Sequence, residues 1–395
     1  MDKKKPRILV TYVEAGMGHI VSAASIEASL RDKYGDEFEI IPSYTMTEDP
    51  DKINLVRYNK YMIRQVGNTN KFPIFGHFIF KALWLIGAST SMRFIHRRMF
   101  MRKATRQALE TIKKHDPDVI VSTHFYPGFL AIDYKKRFNP NCEAITYNPD
   151  NNVHCWWDNR RDGWFLVNGD YAEKNARRRF FKRDRVVRVP LSVRREVSES
   201  NLTKREYRKK HNLPPDNFTV LVADGVYAMG RSKKFVDKLV RIQKPITILV
   251  IAGKNEKAYK FYSKLAGQVD PNVTLIPFRY IEEIYELYGA ADLFITKAGP
   301  NSLLECACMG TPIVTNLCPQ PMETAANKLY IKHLKCGVFM RNPWKTKRFV
   351  ESCIDDPTLL DRFKPGLAKV DKNANGAEVI ADFIAQKARR QRDGG

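Results

Sequence analysis

The chain has 395 residues, more than one ordinary hydrophobic core accommodates, and this length suits two α/β domains. Hydrophobic residues make up 44% of the sequence and aromatic residues 11%, which excludes a globally disordered protein. The formal net charge of +24 favours partners that carry negative charge, such as phosphates, nucleic acid or an anionic membrane surface.

The first half of the chain predicts strands that alternate with helices. The apolar run from Ile8 to Val13 is typical of a buried parallel strand, and a glycine-containing turn and a helix to about Leu30 follow it. Further strands are predicted at 118–122 and 143–147. Because the charged residues 1–7 lead directly into the first strand, we predict no secretory signal and expect a cytoplasmic protein.

A basic and apolar segment interrupts this half. From Lys52 to Leu109 there are twelve Lys and Arg residues and no Asp or Glu, together with a cluster of large apolar side chains that includes Phe78, Leu83 and Trp84. The apolar run is too short to span a bilayer, and it is more hydrophobic than a nucleic-acid-binding groove requires. We therefore predict an interfacial segment that faces an anionic membrane; the alternative is a core helix with a solvated basic face.

The second half predicts another parallel sheet. Its expected helices include 281–288 and 302–309, and its expected strands are 219–223, 247–252, 273–276, 293–296 and 312–315. The polar, Arg-rich stretch between Pro190 and Asn217 is the expected boundary region. We accordingly predict an N-terminal domain at 1–195, a C-terminal domain at 196–375, and a helix with a basic tail at 376–395, frayed from Lys387 onwards.

The seven cysteines form no CxxC pair and no cluster with other metal ligands, so free thiols are expected and a structural metal site is not.

A glycine turn with a histidine follows the first predicted strand. Gly16, Gly18 and His19 cover part of a dinucleotide fingerprint, but the third glycine and the ribose-binding acid are missing, so an NAD site is disfavoured. The turn places an imidazole at the carboxyl edge of the sheet, where a histidine can act as a general base on a hydroxyl group. The alternative is a histidine that only caps the helix.

A second motif runs from Thr296 to Glu305, where a strand ends, a turn of small residues follows, and a helix is expected to begin near Ser302. The N–H groups and the positive dipole end at such a helix start bind phosphate. Glu305, one turn into the helix, could accept the two hydroxyl groups of a ribose. The alternative is an ordinary helix that Ser302 caps.

Five stretches of the chain share motifs with one enzyme family: 16–19, 147–157, 189–194, 219–230 and 297–305. They resemble the G-G-G-H loop, the T-D-F-x-x-H-x-x-W block, the G-I-P-V-R segment, the glycine-rich V-L-V-x-G-G-G-x-G-M-G run and the K-A-G-P-G-T-x-x-E donor motif. The family is that of the monogalactosyldiacylglycerol synthases and processive diacylglycerol glucosyltransferases, with the MurG-type enzymes as more distant relatives.

The resemblance implies an α/β fold of the GT-B type, with two Rossmann-like domains that face a central cleft. It implies a hexosyltransferase that uses a UDP-sugar donor, inverts the anomeric centre and requires no metal or other cofactor. The implied donor site comprises Phe278, Ile281, Gly299, Pro300, Asn301, Ser302, Glu305, Glu323 and Asn327. The implied catalytic residues are His19 and Asp150, and Gly18 and His154 join Phe78, Leu83 and Trp84 on the acceptor and membrane side.

Two departures from the family weaken parts of this expectation. The glycine-rich run is reduced to Ala223-Asp224-Gly225-Val226-Tyr227-Ala228-Met229-Gly230, and the family's P-G-Q-E-x-G-N becomes Pro321-Met322-Glu323-Thr324-Ala325-Ala326-Asn327. The second block loses the amide that holds sugar hydroxyl groups. The resemblance therefore does not carry over the identity of the sugar.

The sequence predicts a peripheral enzyme on the cytoplasmic face of a membrane that transfers a hexose to diacylglycerol or a similar lipid, with no nucleic-acid partner. One alternative is transfer to a polyprenyl-linked acceptor. Another is a non-catalytic protein that binds anionic surfaces or nucleic acid on a degenerate GT-B scaffold.

Overall fold

The structure is a computed structural model. It describes residues 5–13, 17–44, 89, 91, 95, 102–150, 153, 155–157, 163–179, 183–190, 192–226, 228, 230–297, 299–316, 328, 331–370 and 375–393. The chain divides into two compact units, of which the first comprises Met1–Arg194 with Ala374–Gly395 and the second comprises Arg195–Asn373.

The first unit is built on a parallel sheet with the order β2-β1-β3-β4-β5-β6 among the described residues. Its elements in chain order are β1 (Arg7–Tyr12), α1 (Met17–Tyr34), β2 (Glu39–Tyr44), α2 (Arg102–His115), β3 (Val119–Ser122), α3 (Phe125–Arg137), β4 (Glu143–Asn148), β5 (Trp164–Asn168), α4 (Gly169–Arg179) and β6 (Val186–Val189). A short 3-10 turn at Cys155–Trp157 lies between β4 and β5.

Helices cover both faces of this sheet. Ile8 and Val10 of β1 point to one face and pack against α1, whereas Leu9 of the same strand points to the other face and packs against α2 and α3. Strands that are covered on both sides need continuous apolar runs, which explains why residues 8–10 and 119–121 are buried throughout. Helices α1 and α3, which follow β1 and β3, lie on opposite faces, and the strand order reverses between these two strands.

The second unit repeats this plan with a parallel sheet of the order β12-β11-β10-β7-β8-β9, again counted over the described residues. Its elements are α5 (Arg195–Glu199), α6 (Lys204–Lys210), β7 (Phe218–Ala223), α7 (Ser232–Leu239), β8 (Ile246–Gly253), α8 (Glu256–Ala266), β9 (Val273–Arg279), α9 (Ile284–Ala290), β10 (Leu293–Thr296), α10 (Pro300–Cys308), β11 (Ile313–Thr315), β12 (Gly337–Phe339), α11 (Pro343–Asp355) and α12 (Lys364–Leu367). This is the dinucleotide-binding strand order, and the order reverses between β7 and β10.

The two sheets confirm the predicted α/β class, and their details correct several expectations. Strands β2, β5, β6 and β12 are absent from the sequence prediction. Helix α9 begins at Ile284 rather than Ile281, and α10 begins at Pro300 rather than near Ser302. The stretch between Pro190 and Asn217 contains α5 and α6, and α6 packs against α9 within the second unit.

The C-terminal helix α13 (Gly376–Asp393) packs on the first unit. Its residues Ile380 and Ile384 are fully buried in the core that α1 and the strands form. Lys387 is only 5% exposed, and its ammonium group lies 3.6 Å from the centre of the Trp164 ring. The expectation of a frayed tail from Lys387 is therefore wrong as far as Asp393, because the basic residues share their helix with an apolar stripe that the core buries.

We predict that α13 contributes to the stability of the first unit. Ile384→Ala should lower the free energy of unfolding by about 2–5 kcal/mol, because it removes buried methyl groups and leaves a cavity. The matched control is Val379→Ala on the same helix, where the side chain is 41% exposed, and it should cost far less. Urea denaturation of both variants measures the difference, and equally small losses would contradict the packing of α13.

Candidate active site

His19 lies in the first turn of α1, directly after β1, and hydrogen bonds join it to the loop after β3. Its Nδ1 lies 2.7 Å from the carbonyl oxygen of Thr123, and the hydroxyl group of Thr123 donates to the carbonyl oxygen of His19 at 2.8 Å. These two bonds close the gap between the diverging loops at the reversal point of the first sheet. The imidazole thus forms a hydrogen bond to the loop after β3. In the alternative stated above, it would only cap the helix.

This contact fixes the tautomer of His19. A carbonyl oxygen only accepts hydrogen bonds, so Nδ1 carries the hydrogen and the neutral ring keeps its lone pair on Nε2. Such a carbonyl contact also holds the ring plane in place, as it does for metal-binding and catalytic histidines. In this tautomer Nε2 is the ring nitrogen that can accept a proton, as a general base requires.

His124, which was not among the predicted site residues, stands against His19. The two rings meet edge to face with their centres 4.8 Å apart and their planes at 89°. The Nδ1 of His124 accepts the N–H of Tyr126 at 3.2 Å and thereby caps α3. Phe125 and Trp157 complete an aromatic wall, with ring centres 4.1 Å and 6.2 Å from that of His124. The available signal was the position of His124 two residues after the predicted strand at 118–122.

Asp150 follows β4 at the same edge of the sheet, one strand beyond β3. Its backbone N–H donates to Oδ1 of Asn148 at 2.8 Å, which fixes the turn that carries it. Burial raises the pKa of the neighbouring Tyr147 to about 12, and the negative charge of Asp150 adds to this shift. The structure thus places both predicted catalytic residues, His19 and Asp150, at the carboxyl edge of the first sheet, on loops two strands apart, and Gly18 lies beside His19.

The predicted donor residues that the structure describes gather at the carboxyl edge of the second sheet. Phe278 is the penultimate residue of β9 and lies opposite Ile251 of β8, and Ile281 lies in the loop that follows; both are half-buried. Gly299 and Glu305 belong to the loop and helix after β10. The ends of parallel strands share one edge, so this edge is where the fold collects ligand-binding loops.

The start of α10 has the features of an anion-binding helix terminus. Gly299 is its N-cap and has no side chain that could satisfy the helix N–H groups, and Pro300 occupies the first turn. Because Gly299 is the N-cap, the alternative in which Ser302 caps the helix is wrong. Asn301, Ser302 and Glu305 lie on one face at helical spacings of three and four, and Glu305 is only 4% exposed. A phosphate at Gly299–Ser302 and a ribose at Glu305 would therefore lie one turn apart.

Several predicted residues lie outside the described part of the chain. These are Phe78, Leu83, Trp84, His154, Glu323 and Asn327, together with most of the basic segment. Among the residues that the structure does describe, no group of three His, Cys, Asp or Glu side chains could hold a metal ion. Cys142, Cys306, Cys336 and Cys353 are buried thiols outside any disulfide bond, and burial raises the pKa of Cys142 to about 12.

Comparisons with known proteins confirm the resemblance that the motifs suggest. Residues 203–363 match the family model described as glycosyl transferases group 1. The processive diacylglycerol β-glucosyltransferase of Bacillus licheniformis is 22% identical over 288 residues, which cover 73% of this chain and 74% of that enzyme. Monogalactosyldiacylglycerol synthase 1 of Arabidopsis thaliana is 24% identical over 364 residues, which cover 88% of this chain and 64% of the plant protein.

Solved structures show the same fold. MurG of Acinetobacter baumannii aligns with a TM-score of 0.62 at 12% identity, covering 96% of this chain and 99% of MurG. Arabidopsis UGT89C1, solved in complex with UDP, aligns with a TM-score of 0.58 at 12% identity, covering 97% of this chain and all of that one. The chain therefore has the GT-B fold, and its sequence relatives indicate a glycosyltransferase.

Proposed function

We propose that this protein is an inverting glycosyltransferase that transfers a hexose from a UDP-sugar to diacylglycerol or a similar membrane lipid. The observation that carries the proposal is the start of α10, where the Lys297-to-Glu305 motif lies at the reversal point of the second sheet with Gly299 as its N-cap. The lipid acceptor is supported by the names of the similar enzymes, which act on diacylglycerol or make monogalactosyldiacylglycerol.

The proposed reaction is a single displacement. Nε2 of His19 takes the proton of the acceptor hydroxyl group, and the hydroxyl oxygen forms a bond to the anomeric carbon of the sugar. The bond from that carbon to the diphosphate oxygen breaks on the opposite face, and UDP leaves. The positive end of α10 and nearby cations such as Lys297 stabilise the charge that develops on the leaving diphosphate. The geometry of His19 supports its role, because the Thr123 carbonyl holds the ring with Nε2 as the acceptor.

The acceptor would be reached from a membrane surface. None of the described helices combines the length and the apolar character that crossing a bilayer requires. We propose peripheral attachment at the cytoplasmic face, through the basic charge of the chain and the apolar cluster of residues 78–84. This attachment rests on the sequence, since residues 78–84 lie outside the described part of the chain.

Transfer from radiolabelled UDP-glucose and UDP-galactose to vesicles that contain diacylglycerol tests the proposal, with extraction into organic solvent as the readout. Label in a diacylglycerol glycolipid is the expected result. A parallel reaction contains a polyprenyl-linked acceptor instead of diacylglycerol. Label that appears only in the product of that reaction would mean that the acceptor is polyprenyl-linked. Absence of transfer together with tight binding of nucleic acid would favour the non-catalytic alternative.

The donor role of Glu305 predicts a loss of nucleotide affinity. Glu305→Ala should weaken UDP binding by about 1–3 kcal/mol, because hydrogen bonds between a carboxylate and the ribose hydroxyl groups would be lost. The matched control is Glu286→Ala, since Glu286 is equally buried in the same unit but pairs with Lys210 and His211. Calorimetric titration with UDP measures both variants, and unchanged affinity in folded Glu305→Ala would remove this site.

The base role of His19 predicts a different pattern. His19→Ala should leave UDP affinity nearly intact and lower turnover by about 10²–10⁴, the range for loss of a general base. His333→Ala, at an exposed position, is the control and should behave as the unmodified protein does. The transfer assay measures turnover. A decrease of only a few fold for His19→Ala would leave His19 as a positioning residue and make Asp150 and His154 the next candidates.

The membrane role of the basic segment predicts binding with two components. Each cation near an anionic surface contributes about 1 kcal/mol, screened over roughly 10 Å at 0.1 M salt, whereas burial of Phe78, Leu83 and Trp84 resists salt. Flotation with anionic vesicles should therefore decrease with salt but persist. Changing these three residues to serine should abolish the vesicle binding that remains at high salt.

The control for this experiment is the triple serine variant of Phe261, Trp344 and Leu359, which are exposed apolar residues of the second unit. It should float as the unmodified protein does. If the Phe78, Leu83 and Trp84 variant also floats at high salt, the segment is not the anchor. A nucleic-acid binder would instead lose affinity steeply with salt and be indifferent to Trp84.

A further inference from the structure

Asp224 occupies the reversal point of the second sheet. It follows β7 directly, and β7 pairs with β10 on one side and with β8 on the other. The side chain is 1% exposed, so its carboxylate is removed from bulk water. The residue belongs to the stretch that stands in place of the family's glycine-rich run, so the carboxylate is a feature of this chain.

The carboxylate joins two loops that follow different strands. Oδ2 accepts the N–H of Ser232, the first residue of α7, at 2.6 Å, and Oδ1 accepts the N–H of Lys297, in the loop before α10, at 2.8 Å. Burial raises the pKa of Asp224, while these two N–H groups favour the charged form and oppose that shift. Only a carboxylate offers two accepting oxygens here, since an asparagine side chain would turn an NH₂ group towards one of the N–H donors.

The glycines of the loop fit around this carboxylate. A Cβ atom on Gly230 would lie 2.2 Å from the carboxyl carbon of Asp224, so the loop closes over the side chain only because residue 230 is glycine. Gly225 has a φ of +78°, and a Cβ atom there would meet the side chain of Lys297 at 3.6 Å. Asp224, Gly225, Gly230 and Lys297 therefore pack closely together.

We propose that Asp224 is a positioning residue of the donor site, whose carboxylate holds the backbone of Lys297 against Gly230 and the start of α7 and thereby sets the direction in which α10 begins. This inference rests on the proposed function, because it assumes that the start of α10 receives the diphosphate of UDP. Asp224 acts through the backbone of Lys297, three residues before the first residue of α10.

Asp224→Asn tests the inference, with Asp292→Asn as the matched control. Asp292 also accepts a backbone N–H of the β7 strand, that of Thr219 at 2.7 Å, but at the opposite end of the strand, where it pairs with Arg208. We expect Asp224→Asn to weaken UDP binding roughly 3- to 30-fold in the folded protein, the scale at which residues outside a site modulate affinity. Asp292→Asn should lower the melting temperature and leave UDP affinity unchanged.

Gly230→Ala supplies an independent variant, because its methyl group would displace the carboxylate without removing it. It should weaken UDP binding, and the Asp224→Asn/Gly230→Ala double variant should bind UDP more tightly than the product of the two single effects predicts, since both act through one contact. Additive losses would contradict a shared contact and overturn the inference.

The remaining outcomes are also decisive. If the unmodified protein binds UDP and Asp224→Asn binds it equally or more tightly, the positioning role is wrong while the proposed function stands. Equal weakening in Asp224→Asn and Asp292→Asn would assign the effect to general loss of stability and would likewise overturn it. If the unmodified protein does not bind UDP, the proposed donor is wrong and this inference is wrong with it.

Discussion

The reversal of strand order within each parallel sheet is the constraint on which the candidate site depends. Right-handed crossovers that run in opposite directions from neighbouring strands place their helices on opposite faces, so the loops between them separate and leave a crevice. In the first unit the His19 and Thr123 hydrogen bonds span this gap, and in the second unit the Asp224 carboxylate spans it. The same two contacts therefore complete the fold and orient the groups that are proposed to do the chemistry.

The strength of the apolar pattern decided how much of the fold could be predicted. Strands β1, β3, β7, β8 and β10 are buried on both faces, and their continuous apolar runs identify them. By contrast, β2, β6 and β12 are edge strands, where proline, arginine or a length of three residues is tolerated and the pattern is weak. The short run of β5 is central, but periodicity alone does not distinguish it from a buried helical segment.

The same distinction holds for the site. The turn at His19 and the start of α10 are local features, so a glycine turn, a proline and a helix pattern were enough to find them. The roles of Thr123 and Asp224 depend on partners that are distant in sequence: Thr123 is 104 residues from His19, and Lys297 is 73 residues from Asp224. Such pairs arise from strand order, which periodicity does not contain. Sequence therefore located the groups proposed to react better than the residues that hold them.

Asp224 is a buried carboxylate close to the loop that precedes the proposed diphosphate site. Two unit charges about 8 Å apart repel by roughly 2 kcal/mol at an effective dielectric constant of 20, so a carboxylate behind a diphosphate site would disfavour UDP. Here the charge is met by two backbone N–H donors, by the Lys297 side chain and by the positive end of α7, whose first residue supplies one of these N–H groups. Because its charge is balanced in this way, the main effect of the carboxylate is structural. It fixes the distance between the backbone of Ser232 and that of Lys297, which a glycine at position 224 could not do.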